Sequence, residues 1–268
     1  MLTKRLAILV LFAGWSAFGQ QPAASPSNSA IPMRHHGITR LNRAPGTSYT
    51  YYASSYSAGF AVTGGPFREV LGSWIAPKVN CAKTPNAYSS FLVGLDGFGN
   101  EAMEGLGTEA DCMDSSPVYY AWYEFPTGTR LISGITVSPG DRMSATVVCK
   151  GTKFTLKMTN HTTGQTFKHT ETYSAQRNNA VWIVETPCCD KNGKPSPLAD
   201  FGTAYFGHVY TSVKHTDWAV NPDVTGPIGD FDPVYFISMV DPDHSAKAEP
   251  SFLDASGSSF DVLWEKSK

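Results

Sequence analysis

Charge is scarce in this chain: 16% of residues are charged against 12% aromatic, and the formal net charge is −2. No basic stripe with interleaved aromatics occurs, which argues against a nucleic-acid partner. Convincing amphipathic helical spacing is missing as well. The apolar run at residues 6–14 is too short to cross a bilayer as a permanent helix, and no second run free of charge follows, so no membrane anchor is expected. The cysteines lack the paired Cys-x-x-Cys spacing with nearby His that a zinc site needs. No metal and no cofactor are implied.

What the chain does have is glycine (24) and proline (18), the balance of many short strands joined by tight turns. Residues 1–19 read as an export signal: Lys4 and Arg5 precede the apolar run, and Ala17-Phe18-Gly19 offers small residues at alternate positions to a signal peptidase. Secretion, to the extracellular space or a periplasm, is expected. Residues 20–46 are too polar and too rich in Pro, Ser and Asn to order themselves, and read as a disordered linker or a short pro-segment. Within them Arg34-His35-His36 would gain charge at acid pH, which could hold the segment against an acidic cleft. Residues 47–268 show no strong composition break and read as one domain, expected to be monomeric. The five cysteines of an exported chain permit disulfides but leave an odd thiol. Cys81 with Cys112, and Cys149 with Cys188 or Cys189, is one set among several.

Along the chain, residues 51–66 and 68–75 are expected to form a first hairpin around Gly64-Gly65-Pro66. Residues 88–95 run as a strand into Asp96-Gly97, a strong hairpin signal, and return through residues 100–112, which carry Glu101, Glu104, Glu109 and Asp111 and are too acidic for a pure core strand. A calcium loop starting at Asp96 is discounted, since Phe98 and Gly107 stand where ligands belong. Residues 131–138, 142–150, 154–159 and 166–173 read as a meander. Asn160-His-Thr162 matches a glycosylation sequon. Residues 201–213 read as one long strand or a pair broken at Gly207, and residues 234–240 and 259–264 finish as strands. So many short strands at this length imply an all-β fold: a two-sheet antiparallel β-sandwich of concanavalin A-like or jelly-roll type, with one concave face available as a substrate groove.

Two strands stand out for chemistry. In Ala180-Val-Trp-Ile-Val-Glu185, alternation puts Val181, Ile183 and Glu185 on one face and Trp182 and Val184 on the other. A carboxyl beside aliphatic neighbours is expensive to ionise, so its pKa should rise into a range where it can take up and return protons. The plain alternative is a strand-end Glu turned to solvent where Thr186-Pro187 ends the ladder. In Val118-Tyr-Tyr-Ala-Trp-Tyr-Glu-Phe125, Tyr120, Trp122 and Glu124 share one face, with Tyr119, Ala121, Tyr123 and Phe125 on the other. One face is core and the other a ligand-lining wall.

Several blocks together resemble the eqolisins, a family of glutamic peptidases. They are Ser57-Ala-Gly-Phe-Ala-Val-Thr-Gly64, Gly72-Ser-Trp-Ile-Ala-Pro77, Val93-Gly-Leu-Asp-Gly97, Ala121-Trp-Tyr-Glu124, Asn160-His-Thr-Thr-Gly-Gln165, Trp182-Ile-Val-Glu185 and Leu198-Ala-Asp-Phe-Gly202, in the family's order. The resemblance implies a sandwich of two large antiparallel sheets and secreted, acid-active hydrolysis of peptide bonds in a polypeptide substrate. It implies that Glu185 is the catalytic Glu of a Glu/Gln pair, acting on water as general base and then on the leaving amine as general acid. The Gln would orient the water and donate to the oxyanion. Asp96, Glu109 and Glu124 match acidic positions lining the family's site, and with Trp122 they are the expected substrate-binding residues.

The chain departs from the pattern at Gly105, which stands where the family has its Gln. Two compensations are open: a bulge rotating Glu104 into the groove to pair with Glu185, or Gly105 letting a water or substrate reach the backbone N–H. Ser57 and Leu92 replace two tryptophans usual in the family. A secreted glutamic-type endopeptidase, impaired by the missing Gln, is the leading expectation. The alternatives are a catalytically silent sandwich that binds peptide or polysaccharide, and a glycoside hydrolase pairing Glu185 with Glu124 across strands.

Overall fold

The computed structural model describes residues 49–100, 102–187 and 195–268. The expected export signal, the 20–46 segment with Arg34-His35-His36, and Cys188 and Cys189 lie outside the described residues.

Among the described residues the chain forms seventeen strands and one short helix. The strands are β1 (Tyr49–Ser54), β2 (Ser57–Thr63), β3 (Glu69–Ile75), β4 (Ser90–Asp96), β5 (Met103–Met113), β6 (Ser116–Phe125), β7 (Gly128–Leu131), β8 (Arg142–Lys150) and β9 (Lys153–Asn160). There follow β10 (Thr166–Thr172), β11 (Asn179–Glu185), β12 (Thr203–Phe206), the helix α1 (His208–Thr211), β13 (Trp218–Val220), β14 (Thr225–Pro227), β15 (Val234–Val240), β16 (Ala246–Pro250) and β17 (Phe260–Trp264).

Pairing sorts them into two layers. One sheet runs β1-β15-β2-β11-β4-β5-β6-β7, antiparallel except for the parallel β1–β15 edge. The other runs β16-β17-β12-β3-β8-β9-β10, with the β13–β14 hairpin also laid against β3. Strand β15 pairs with β16 across a register shift at Met239/Val240, so the two layers stay joined by hydrogen bonds. Alternation drives the stacking: Phe154, Leu156 and Met158 on β9 and Met143, Ala145 and Val147 on β8 turn inward while their neighbours face out. These meet Phe91, Val93 and Trp182 of the first sheet in one core, where each fully buried large side chain contributes about 2 kcal/mol.

Four expectations need correction. No first hairpin forms, because β2 pairs with β11 and β15 while β3 pairs with β8, β12 and β13. The Gly64-Gly65-Pro66 link carries the chain between layers, and a Cβ at Gly65 would lie 2.1 Å from the Arg177 carbonyl, so only glycine fits there. Residues 132–138 hold no strand; Ile132, Ile135 and Val137 pack into the core from a loop. Past β12, Gly207 breaks the strand at φ 93 and the chain turns into α1 instead of a second strand. Asn160 is fully buried, and its amide donates to Asp141 Oδ2 (2.8 Å) and the Thr136 carbonyl (3.0 Å), so the sequon is not available on the folded chain. Cys81 and Cys112 are joined, as in the pairing considered above, whereas Cys149 is a buried free thiol beside the Gly151 carbonyl.

Strands β2, β4, β5 and β11 at the centre of the first sheet are buried along nearly their whole length. Their inner face meets the main core. Their outer face carries a second, separate apolar cluster of Ala61, Leu92, Met103, Trp122, Val181, Ile183 and Ile237, edged by Tyr52, Phe98, Tyr120 and Tyr235. The candidate site lies on that outer face.

Candidate active site

Cross-strand partners share a face, so the register reads out the site row by row. Glu185, the last residue of β11, sits opposite Ser57 on β2 and Ser90 on β4; Ser90 sits opposite Glu109 on β5, and Glu109 opposite Tyr120 on β6. The next row on the same face is Gly59, Ile183, Leu92, Gly107 and Trp122. The third is Ala61, Val181, Gly94, Gly105 and Glu124, closed by Thr129 on β7. Glu185, Gly105, Glu109, Trp122 and Glu124 therefore come together on one face, as alternation implies. Gly105 stands two strands across and two rows along from Glu185.

Glu185 is 2% exposed, on the floor of this face with Ile183 and Val181 beside it. Its register neighbours Ser57 and Ser90 are buried, with hydroxyl oxygens that meet no partner among the described residues. Glu124 accepts a 2.6 Å hydrogen bond from Thr129 Oγ1. Trp122 packs over Gly107, where a Cβ would lie 2.8 Å from the indole and 2.6 Å from the Phe91 carbonyl.

Of the expected residues, Glu104 is placed on the opposite face, and Asp96 stands at the far end of the site's own face, opposite Met103. The β4–β5 register runs without a bulge from Ser90↔Glu109 to Asp96↔Met103, so Glu104 points through the opposite face, away from Glu185. It is fully buried with both carboxyl oxygens unpartnered among the described residues, and burial, with the Asp96 charge in second place, pushes its pKa up to about 8. The bulge that would turn Glu104 toward Glu185 is not formed. Asp96 is also fully buried, accepting from the Arg177 N–H (2.6 Å), the Asn178 N–H (2.8 Å) and Asn100 Nδ2 (3.1 Å). It ties the end of β4 to the chain entering β11.

At Gly105 the space is already used. The Met103 side chain lies along Gly94 and Gly105, its Cε 3.4 Å from where a Gly105 Cβ would be, and the Val93 carbonyl is 3.0 Å away. A thioether thus fills the space beside Gly105.

Sequence reasoning passed over Asp111 and Tyr120 as site residues. Asp111 is two residues from Glu109, hence on its face; Oδ1 accepts the Ser89 N–H (3.1 Å) and Oδ2 the Tyr120 hydroxyl (3.3 Å). Burial first, then the adjacent Glu109 charge, raises the Asp111 carboxyl well above the usual range, so it stays protonated where an ordinary Asp would not. The Tyr120 hydroxyl is pushed up by the same burial and the same two carboxylates. The signal was present in the spacing Glu109-Ala-Asp111, two acids on one face of a buried strand. The arrangement provides one carboxyl group at a strand end, a proton-retaining carboxyl beside Glu109, and an apolar wall, a set suited to moving protons with little bulk water. Among the described residues no group of three His, Cys, Asp or Glu could hold a metal ion.

A sequence model described as the Peptidase A4 family matches residues 55–236. Comparison with curated protein sequences gives no match. Among solved structures, scytalido-glutamic peptidase bound to a transition-state analogue inhibitor superposes with a TM-score of 0.64 at 22% identity, over 79% of this chain and 98% of that one. SCP-B, a member of the eqolisin family in complex with the tripeptide Ala-Ile-His, gives 0.63 at 21% identity over 79% and 98%. Aspergilloglutamic peptidase from Aspergillus niger gives 0.54 at 28% identity over 67% and 99%.

Proposed function

Because the chain belongs to the Peptidase A4 family, we propose that it is an exported, acid-acting glutamic-type endopeptidase whose single working carboxyl is Glu185. The carrying observation is the placement of Glu185 at the end of β11, on the outer face, in register with Ser57, Ser90 and Glu109. In this reading Glu185 removes a proton from a water as its oxygen bonds to the scissile carbonyl carbon. Glu185 then returns that proton to the amide nitrogen as the carbon–nitrogen bond breaks, so the carboxylate is restored. The water oxygen ends in the new carboxyl group and the proton on the new amine.

Gly105 sets the rate. With no amide to meet the developing oxyanion, turnover falls by roughly a hundred- to a thousandfold relative to a complete Glu/Gln pair. The same feature, with Met103 laid over Gly105, favours a second reading: a face that still binds polypeptide but no longer cleaves it. Hydrolysis of an unfolded protein at about pH 3–5, around ordinary carboxyl pKa values, separates the two. Slow cleavage by the wild type that disappears in Glu185→Gln is expected. Cleavage that survives Glu185→Gln rejects the assignment, and a silent wild type leaves the binding reading.

A further inference from the structure

Just beyond the Ser57–Glu185 row, at the end of the β2–β11 pair, lies a cavity of about 520 Å³. Its position is tied to Glu185 by the chain itself. The Thr186 N–H, next after Glu185, donates to the Tyr56 carbonyl (2.8 Å), and the Thr186 hydroxyl donates to the Ser196 carbonyl (2.7 Å). Tyr56, Pro195 and Pro197 form part of the cavity wall, with Val240 from the end of β15.

The lining also includes Lys247, second residue of β16, which is 3% exposed. Its amine makes no hydrogen bond and no ion pair among the described residues. The nearest opposite charge, Asp241, is already taken: Lys266 Nζ lies 2.6 Å from its Oδ2 and also meets Ser245 Oγ. Asp241 and Lys268 also line the cavity. The strand cannot shift to release the amine without loss, since the Lys247 carbonyl accepts the Glu265 and Lys266 N–H groups. A largely buried side chain whose ammonium has no partner among the described residues is poorly compensated, and an apolar residue of similar length would pack here without that cost. The charges facing Lys247 are Asp241 from the end of β15 and Lys266 after β17, and burial, the larger effect, lowers its pKa.

We propose that this cavity is a binding site for a carboxylate borne on an apolar group, with Lys247 as the cation that pairs it. The carboxylate supplies the missing counter-ion, and Tyr56, Pro195, Pro197 and Val240 receive the apolar part. Two sources share this chemistry: the carboxyl terminus of a peptide reaching past Glu185, and a free organic acid. The site does not depend on Glu185 being catalytic.

The test measures binding to the full chain carrying Glu185→Gln, so that no peptide is consumed. The probes are an apolar tripeptide with a free carboxyl terminus, the same tripeptide amidated, and benzoate, each titrated by calorimetry with and without Lys247→Met. The free-acid peptide is expected to bind about tenfold tighter than the amide, as for one charge-assisted hydrogen bond, and Lys247→Met should erase that difference. If benzoate binding alone depends on Lys247, the site stands with a free acid as its ligand. If neither acid binds, or if Lys247→Met leaves both affinities unchanged, the proposal is overturned. Should Lys247→Met lack a cooperative thermal transition, amide chemical shifts of the Lys247 chain decide instead: perturbation at Tyr56 and Val240 by the acids supports the site, and its absence there rejects it. A chain with no hydrolytic activity gives these same outcomes, so the two readings fail separately.

Discussion

In the function proposed above activity turns on Gly105, and the surroundings of that residue say how a side chain could be placed there. A Cβ there would sit 3.0 Å from the Val93 carbonyl and 3.4 Å from Met103 Cε. The first contact involves backbone and must give by a few tenths of an ångström; the second involves the far end of a flexible side chain, which can swing away. Gly105→Gln is therefore expected to fold, at a cost of about 1–2 kcal/mol, and to raise kcat toward the level of a complete pair, by roughly a hundredfold. Pairing it with Met103→Ala should give a further gain by clearing the space the amide must occupy. Single-turnover hydrolysis compared with the urea midpoint checks both halves. A variant that folds as well as the wild type but cleaves no faster would show that the Gln position is no longer connected to Glu185. The glycine itself is legible from the sequence, by its place in the Gly105-Leu-Gly107 stretch. What is not legible is the thioether over it, because Met103 is placed by the fold of β5 against β4.

The strand β5 carries this face, and its far end is pinned by the Cys81–Cys112 disulfide, which closes a loop with a sequence separation of 31. Chain-entropy estimates for a loop of that size give about 3–4 kcal/mol of stabilisation. Cys81→Ala/Cys112→Ala is expected to lose that amount in urea denaturation, and to loosen Asp111, which directly precedes Cys112. Equal midpoints for the variant and the parent would mean that the β4–β5–β6 pairing alone holds this end. Elements with one face in the core and one in water, such as β8 and β9, are readable from alternation, and β15 falls at the limits its apolar run implies. The hairpin expected around Gly64-Gly65-Pro66 is not, since turn chemistry announces a reversal but not the sheet to which the chain returns. The partners of β2 come from β11 and β15, far along the chain, and no local signal names them. The same limit explains Glu104 and Glu185. Strand membership is visible for both, but which face each takes depends on an unbroken register that only the paired strands reveal.

For the molecule as a whole, a net charge of −2 makes global self-repulsion a weak influence on stability. Individual buried carboxyls matter more. Glu104 is raised to about 8, and Asp111 and Asp217 are held well above the usual range, burial being the largest cause in each case. Among the described residues Asp217 keeps one oxygen unpartnered while the other accepts from the Ser73 N–H and the Thr216 hydroxyl. The sign follows from linkage: the unfolded chain releases these protons near ordinary carboxyl pKa values while the folded chain retains them, so stability is full below about pH 4 and falls as pH rises through the folded values. These three groups thus favour the fold most in the acid range, which is the range of the hydrolysis proposed above. For Glu104 alone the loss between the unfolded value and about 8 amounts to about 3–5 kcal/mol, reached near pH 8. Urea midpoints at about pH 4.5 and pH 8 should therefore differ strongly in the wild type, and Glu104→Gln, which cannot ionise, should narrow that gap by a similar amount, mainly by gaining stability at the alkaline end. If the gap is the same in Glu104→Gln, Glu104 does not hold its proton in the folded chain, and the alkaline weakness belongs to Asp111 and Asp217.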